Sequence, residues 1–196
     1  MQENVALFID AANLSWAINS LKLSIDFNKL IPFLSVSQKW NVVNAFYYTA
    51  LVEEKDGFVV RRNQMDWLKH HGFTVKTKPA KQYKRPDGTM RVKGNMDIEM
   101  VVGMIKAADS RNIQRIVLLS GDGDFSSFVE YLQETKGIPV TVISTSPMIS
   151  RDLKSMCNQY SDIASIREHL EVRHQPVVEV KRSHSIINLM RANRGV

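Results

Sequence analysis

The chain has 196 residues, a hydrophobic content of 44% and a formal net charge of +6 at pH 7. This length suits one domain with a short appendage, and the apolar content supplies a core and excludes wholesale disorder. A single cysteine, Cys157, excludes an internal disulfide and a cysteine-cluster zinc site. No apolar run reaches the roughly 18 residues of a membrane span, and the opening Met1-Gln2-Glu3-Asn4-Val5 lacks the basic region of a signal peptide. No membrane partner is expected, and the expected location is the cytoplasm.

Residues 5–10 form a continuous apolar run closed by Asp10, the pattern of a strand buried on both faces. Residues 13–22 read as a helix. Asp26 is placed to cap a second helix through about Val36, bent at Pro32. Residues 42–48 are β-branched and aromatic, hence strand. Residues 56–71 read as a helix closed by Gly72, and 73–77 as a third strand. Residues 78–95 read as a long basic loop with a hairpin-type turn at Asp87-Gly88. A loop of that length in a compact domain is usually functional.

Residues 96–108 return to helix, with Ile98, Val101, Val102 and Ile105 as the expected apolar face. Ile116 to Leu119 is a buried strand, 125–135 a helix and 140–144 another strand. Short helices are expected near 150–157 and 162–170. Strands alternating with helices imply a parallel sheet with right-handed crossovers. At Glu171 the pattern breaks, so the domain is expected to span 1–170, followed by a basic extension over 171–196. Within the extension Ile186, Leu189 and Met190 share one helical face, which wants burial against the domain or in a homodimer.

The acids carry the chemistry. Asp10 and Asp122 fall at strand ends, where doubly wound sheets bind ligands. Asp124 lies two residues on, and Asp97 opens a helix. A buried acid is costly unless paired, and two carboxylates about 4 Å apart repel by roughly 4 kcal/mol at an effective dielectric of 20. A divalent cation removes that repulsion, and all-oxygen sites suit Mg²⁺ or Mn²⁺. Asn13 and Asp124 also have a plainer role, as helix caps. The Ser120-Gly121-Asp122-Gly123-Asp124 turn is not a phosphate-binding P-loop, because the Gly-x₄-Gly-Lys-Ser/Thr spacing is absent.

Beside the acids lies a basic segment: Lys76, Lys78, Lys81, Lys84, Arg85, Arg91 and Lys93, with Asp87 its lone acid. A polyanionic partner follows, and Lys81, Lys84, Arg85, Arg91 and Lys93 are candidate phosphate contacts. Tyr83, set among these cations, is a candidate for stacking on an unpaired base. Trp16, Trp40 and Trp67 are expected in the core. The five histidines lie outside the acidic motifs.

Phe8 to Leu14, Lys93 to Glu99 and Ser120 to Phe125 resemble, in order and spacing, three motifs of the NYN family, a branch of the PIN-like nucleases that includes the bacterial LabA-like proteins. The resemblance covers about residues 4–145. It implies a three-layer α/β fold, with a mostly parallel central sheet of order 3-2-1-4-5 flanked by helices. It also implies a Mg²⁺- or Mn²⁺-dependent ribonuclease site on Asp10, Asp97, Asp122 and Asp124, acting on single-stranded or structured RNA. Asn13 and Ser120 would be supporting residues. Many relatives carry a further acid near Gly103, and Glu99 would stand in for it here. Some LabA-like relatives are regulators, so the alternative is an RNA-binding or regulatory module with little or no activity.

Overall fold

The computed structural model describes residues 2–51, 58–84, 88 and 90–171, with side chains for all of these except 58–61, 82 and 90–93. In chain order the elements are β1 (Glu3–Asp10), α1 (Ala11–Ser20), α2 (Phe27–Ser37), β2 (Trp40–Leu51), α3 (Phe58–His70), β3 (Phe73–Pro79), β4 (Lys81–Lys84), β5 (Met90–Lys93), α4 (Asp97–Ala108), β6 (Arg115–Leu119), α5 (Ser126–Glu134), β7 (Val140–Ser144), α6 (Arg151–Met156), β8 (Gln159–Asp162) and α7 (Ile163–Leu170).

Six strands form one sheet in the order β3-β2-β1-β6-β7-β8, and every pairing in it is parallel. Counting these strands alone, the first five follow the expected 3-2-1-4-5 order, and β8 extends the far edge. Strand β8 was not anticipated because Gln159-Tyr160-Ser161-Asp162 is polar and lacks the apolar run of a central strand.

The sheet is buried on both faces because its central strands carry continuous apolar runs, Val5–Ile9 on β1 and Ile116–Leu119 on β6. On β1, Val5, Leu7 and Ile9 face one layer with Leu14, Leu30, Leu34 and Leu68. Ala6 and Phe8 face the other, with Met100, Met104, Leu118, Val129 and Leu132. Phe8 stacks on Phe46 with ring centroids 4.9 Å apart. Each such fully buried side chain contributes about 1.5–3 kcal/mol. Asp26 caps α2 by accepting from Asn28 N–H at 3.0 Å, and Gly72 closes α3 at φ +87°.

Three expectations change. Helix α4 buries Met100, Met104 and Ala107 instead of the Ile98/Val102 stripe, and Ile98 is 75% exposed. Both sets satisfy helical spacing. Gly103 decides between them, because a Cβ there would overlap the Tyr48 hydroxyl and meet the Phe8 ring at 3.2 Å. Only a glycine lets α4 seat this closely on β1 and β2.

The basic segment is not a loop throughout: β4 and β5 pair antiparallel, with Lys81 opposite Lys93 and Tyr83 opposite Arg91. Arg85 and Asp87 of its expected turn lie outside the described residues, as does the 172–196 part of the extension. Trp40 is buried, but Trp16 is 71% exposed and Trp67 half-buried, stacked on His71 at 3.8 Å between centroids. No helix among the described residues is long and apolar enough to cross a membrane.

Candidate metal centre

The site grows from the pairing of β1 with β6. Ile9 lies opposite Leu119, so Asp10 and Ser120 leave neighbouring strand ends side by side. Asp10, only 8% exposed, caps α1: its Oδ1 accepts from the N–H groups of Ala12 at 3.1 Å and Asn13 at 3.2 Å. Its Oδ2 accepts from the Ser120 hydroxyl at 3.2 Å. The same Ser120 oxygen accepts from Asp122 N–H at 3.2 Å. Asn13 does not act as a side-chain cap. Its Oδ1 accepts from Gly121 N–H at 2.8 Å and ties the two strand-end loops together. Gly121 has no room for a side chain, since a Cβ would lie 2.7 Å from the Met148 carbonyl oxygen.

Asp122 caps the short 3-10 turn Gly123–Phe125, accepting from Asp124 N–H at 3.0 Å. From the opposite side, α4 delivers Asp97 in its first turn, and the Asn95 amide donates to Asp97 Oδ2 at 2.6 Å. One carboxylate oxygen each from Asp97, Asp122 and Asp124 lie within 4.8 Å of one another. Asp10 is not a member of this close group, because α1 holds its carboxylate. It remains an electrostatic neighbour of both Asp97 and Asp122.

The crowding is visible in the protonation equilibria. Burial, followed by the charges of Asp10, Asp122 and Asp124, pushes Asp97 up to about 6, while Lys78 pulls it down. Burial also raises Asp10, against the lowering hydrogen bonds from Asn13, Ser120 and Ala12. An unlike charge lowers such a group; Lys78 does so for Asp97 but does not offset burial and the three neighbouring acids.

Glu99 does not join the acids. Lys78 Nζ holds both of its oxygens, at 2.9 and 2.8 Å, and keeps its carboxyl below the usual range. The position near Gly103 is filled by Tyr48, whose hydroxyl is pushed up to about 12 by burial and by the charge of Glu99. Lys81, Tyr83 and Lys84 are exposed on β4. Arg91 and Lys93 lie in β5, their side chains outside the described set. Asn95 and Lys78 join the site beyond the residues that the sequence singles out. The signal for Asn95 was an amide two residues before a site acid.

A profile of the NYN domain matches residues 4–165. The chain belongs to the NYN domain family. It is 32% identical, over 88% of its length and 90% of the relative's, to the low amplitude and bright protein LabA of Synechococcus elongatus (strain ATCC 33912 / PCC 7942 / FACHB-805). Its fold is similar to the crystal structure of a protein of unknown function from Vibrio parahaemolyticus RIMD 2210633. That match has a TM-score of 0.67 and 26% identity, and covers 87% of this chain and 97% of that one. Neither the fold nor these relatives support the homodimer.

Proposed function

We propose that this NYN domain is a divalent-metal-dependent ribonuclease. The observation that carries the reading is the close approach of Asp97, Asp122 and Asp124 with Asp10 behind them. An all-oxygen, multiply anionic donor set fits Mg²⁺ or Mn²⁺. When bound, such an ion activates water and neutralises charge on the phosphate being displaced. Asp97, Asp122 and Asp124 would hold it. Asp10 adds negative charge from behind and anchors α1. Ser120 and Asn13 fix the loops that carry the acids, and Asn95 fixes the Asp97 rotamer.

The basic hairpin supplies the complementary part of the reading. Lys81 and Lys84, with Tyr83 between them in sequence, stand exposed next to the acids in the chain path. Lys81 and Lys84 are the described cations of this hairpin that an RNA backbone can meet, and the sequence adds Arg85, Arg91 and Lys93 beside them in the chain. A second reading, an RNA-binding or regulatory module of low activity, draws on two features. Glu99 is tied to Lys78, and Tyr48 occupies the place of a further acid near Gly103. These features favour one metal position over two.

The test is incubation of pure protein with labelled single-stranded RNA in Mn²⁺, in Mg²⁺ and in chelator. Cleavage in either metal that chelator abolishes supports the ribonuclease. RNA binding without cleavage in any metal supports the module.

A further inference from the structure

Trp16 departs furthest from its expected place in the core. Its indole is 71% exposed, and a large aromatic left in water marks a surface that gains by being covered. It lies on α1 four residues after Ala12, on the same helical face. It lines a cavity of about 320 Å³ between α1, the carboxyl end of β2 and α3, together with Ala12, Thr49, Gln64 and Gly94. That volume is at the lower end of ligand pockets, about 300–1,000 Å³.

Two walls of the cavity continue into the acidic site. Ala12 donates its N–H to Asp10 at 3.1 Å. Gly94 precedes Asn95, whose amide holds Asp97. Strand β2 lies next to β1, with Tyr48 opposite Asp10, and neighbouring strands are ~4.8 Å apart. The cavity therefore borders the residues that directly follow Asp10 and directly precede Asn95. A Cβ at Gly94 would come within 2.7 Å of Ala50 Cβ and 3.0 Å of Ala80 Cβ. The foot of the basic hairpin thus presses on the end of β2, beside the cavity. No charged residue lines it among the described residues. Walled by Trp16 and Tyr47 and with no charged lining among the described residues, the space suits a neutral planar ring better than a phosphate.

We infer that this cavity is a nucleobase subsite, in which the base adjoining the cleaved phosphate stacks on Trp16 while Thr49 and Gln64 meet its edge. The inference rests on the ribonuclease reading for the position of the phosphate. Because Trp16 is exposed, its removal leaves the core intact. Base–aromatic stacking gives a loss of about tenfold when the ring is removed.

The experiment compares wild type, Trp16→Ala and Trp16→Phe on a short unstructured RNA, and on the same RNA with one abasic nucleotide moved through each position. Trp16→Ala is expected to raise KM about tenfold, with a much smaller change in kcat, and Trp16→Phe to recover most of the loss. An abasic nucleotide next to the cleaved bond should weaken wild type equally and leave Trp16→Ala unaffected. A wild-type KM for Trp16→Ala overturns the subsite, and so does an undiminished Trp16→Ala penalty on every abasic RNA. If no metal supports cleavage, the ribonuclease reading falls on its own. The subsite is then read in chelator from indole fluorescence. Quenching by RNA that is lost with Trp16→Phe and with one abasic position sustains it, and no such quenching overturns it.

Discussion

Replacing Asp97 by asparagine should stabilise the metal-free protein at neutral pH and much less in acid. Asp97 sits against Asp122 and Asp124 and is pushed from 3.8 up to about 6 by burial and by the neighbouring carboxylates. A shift of about two units corresponds to ~3 kcal/mol if undiminished. The side chain is only partly buried, so solvent screening reduces this to roughly 1–2 kcal/mol. A raised carboxyl favours the folded state while protonated. Its contribution is fully present below the unfolded value near 3.8 and is lost as pH rises through about 6. Asparagine is isosteric, keeps an oxygen for the Asn95 amide, and carries no charge at any pH. The expected gain in Tm is roughly 2–8 °C at pH 7.5 in chelator, given about 2–4 °C per kcal/mol for a chain of this size. At pH 4, just above the unfolded value, the gain should shrink to about a fifth. A shallower residual slope from Asp10, raised by the same kind of burial, should persist in the variant. Thermal denaturation in chelator across pH 4 to 7.5 reads this directly. A variant that is less stable at pH 7.5, or equally shifted at both ends of the range, would refute the reasoning.

Three further outcomes follow from the same geometry. Asn13→Ala leaves the buried Gly121 N–H without its 2.8 Å partner, so stability should fall by about 1–3 kcal/mol in denaturant titration, whatever the metal. Gly103→Asp should destabilise instead of adding a ligand, because Tyr48 and Phe8 occupy the space; a melting curve at or above wild type would contradict this. Charge reversal at Lys81 and Lys84 should weaken RNA binding and flatten the salt dependence of log K by roughly 0.7 for each phosphate no longer neutralised, measured by anisotropy with uncleaved RNA.

What the sequence revealed was whatever had a single physical solution. An apolar run closed by an acid, as in residues 5–10 and 116–122, reads as a buried strand delivering a carboxylate to the carboxyl end of the sheet, and both did so. The approach of α4 was legible at Asp97, but its buried face was not. Ile98/Val102 and Met100/Met104 are equally periodic, and the choice depends on a tyrosine from β2 fitting against Gly103. Glu99 looked like a site acid because the resemblance calls for a further acid near Gly103; its capture by Lys78, 21 residues earlier, is a tertiary event. Trp16 looked like core because it lies in an apolar element, and only the packed fold shows α1 exposing it at the mouth of a cavity. The polar strand β8 gave no apolar signal at all.

The most direct test of the central claim measures RNA cleavage by wild type, Asp97→Asn, Asp122→Asn and Asp124→Asn across one Mn²⁺ titration, with chelator as the zero point. The account predicts metal-dependent cleavage by wild type, none in chelator, and loss of at least about a hundredfold in each variant, with folding intact by circular dichroism. Cleavage that survives chelator, or wild-type rates in the Asp122→Asn protein, would contradict it.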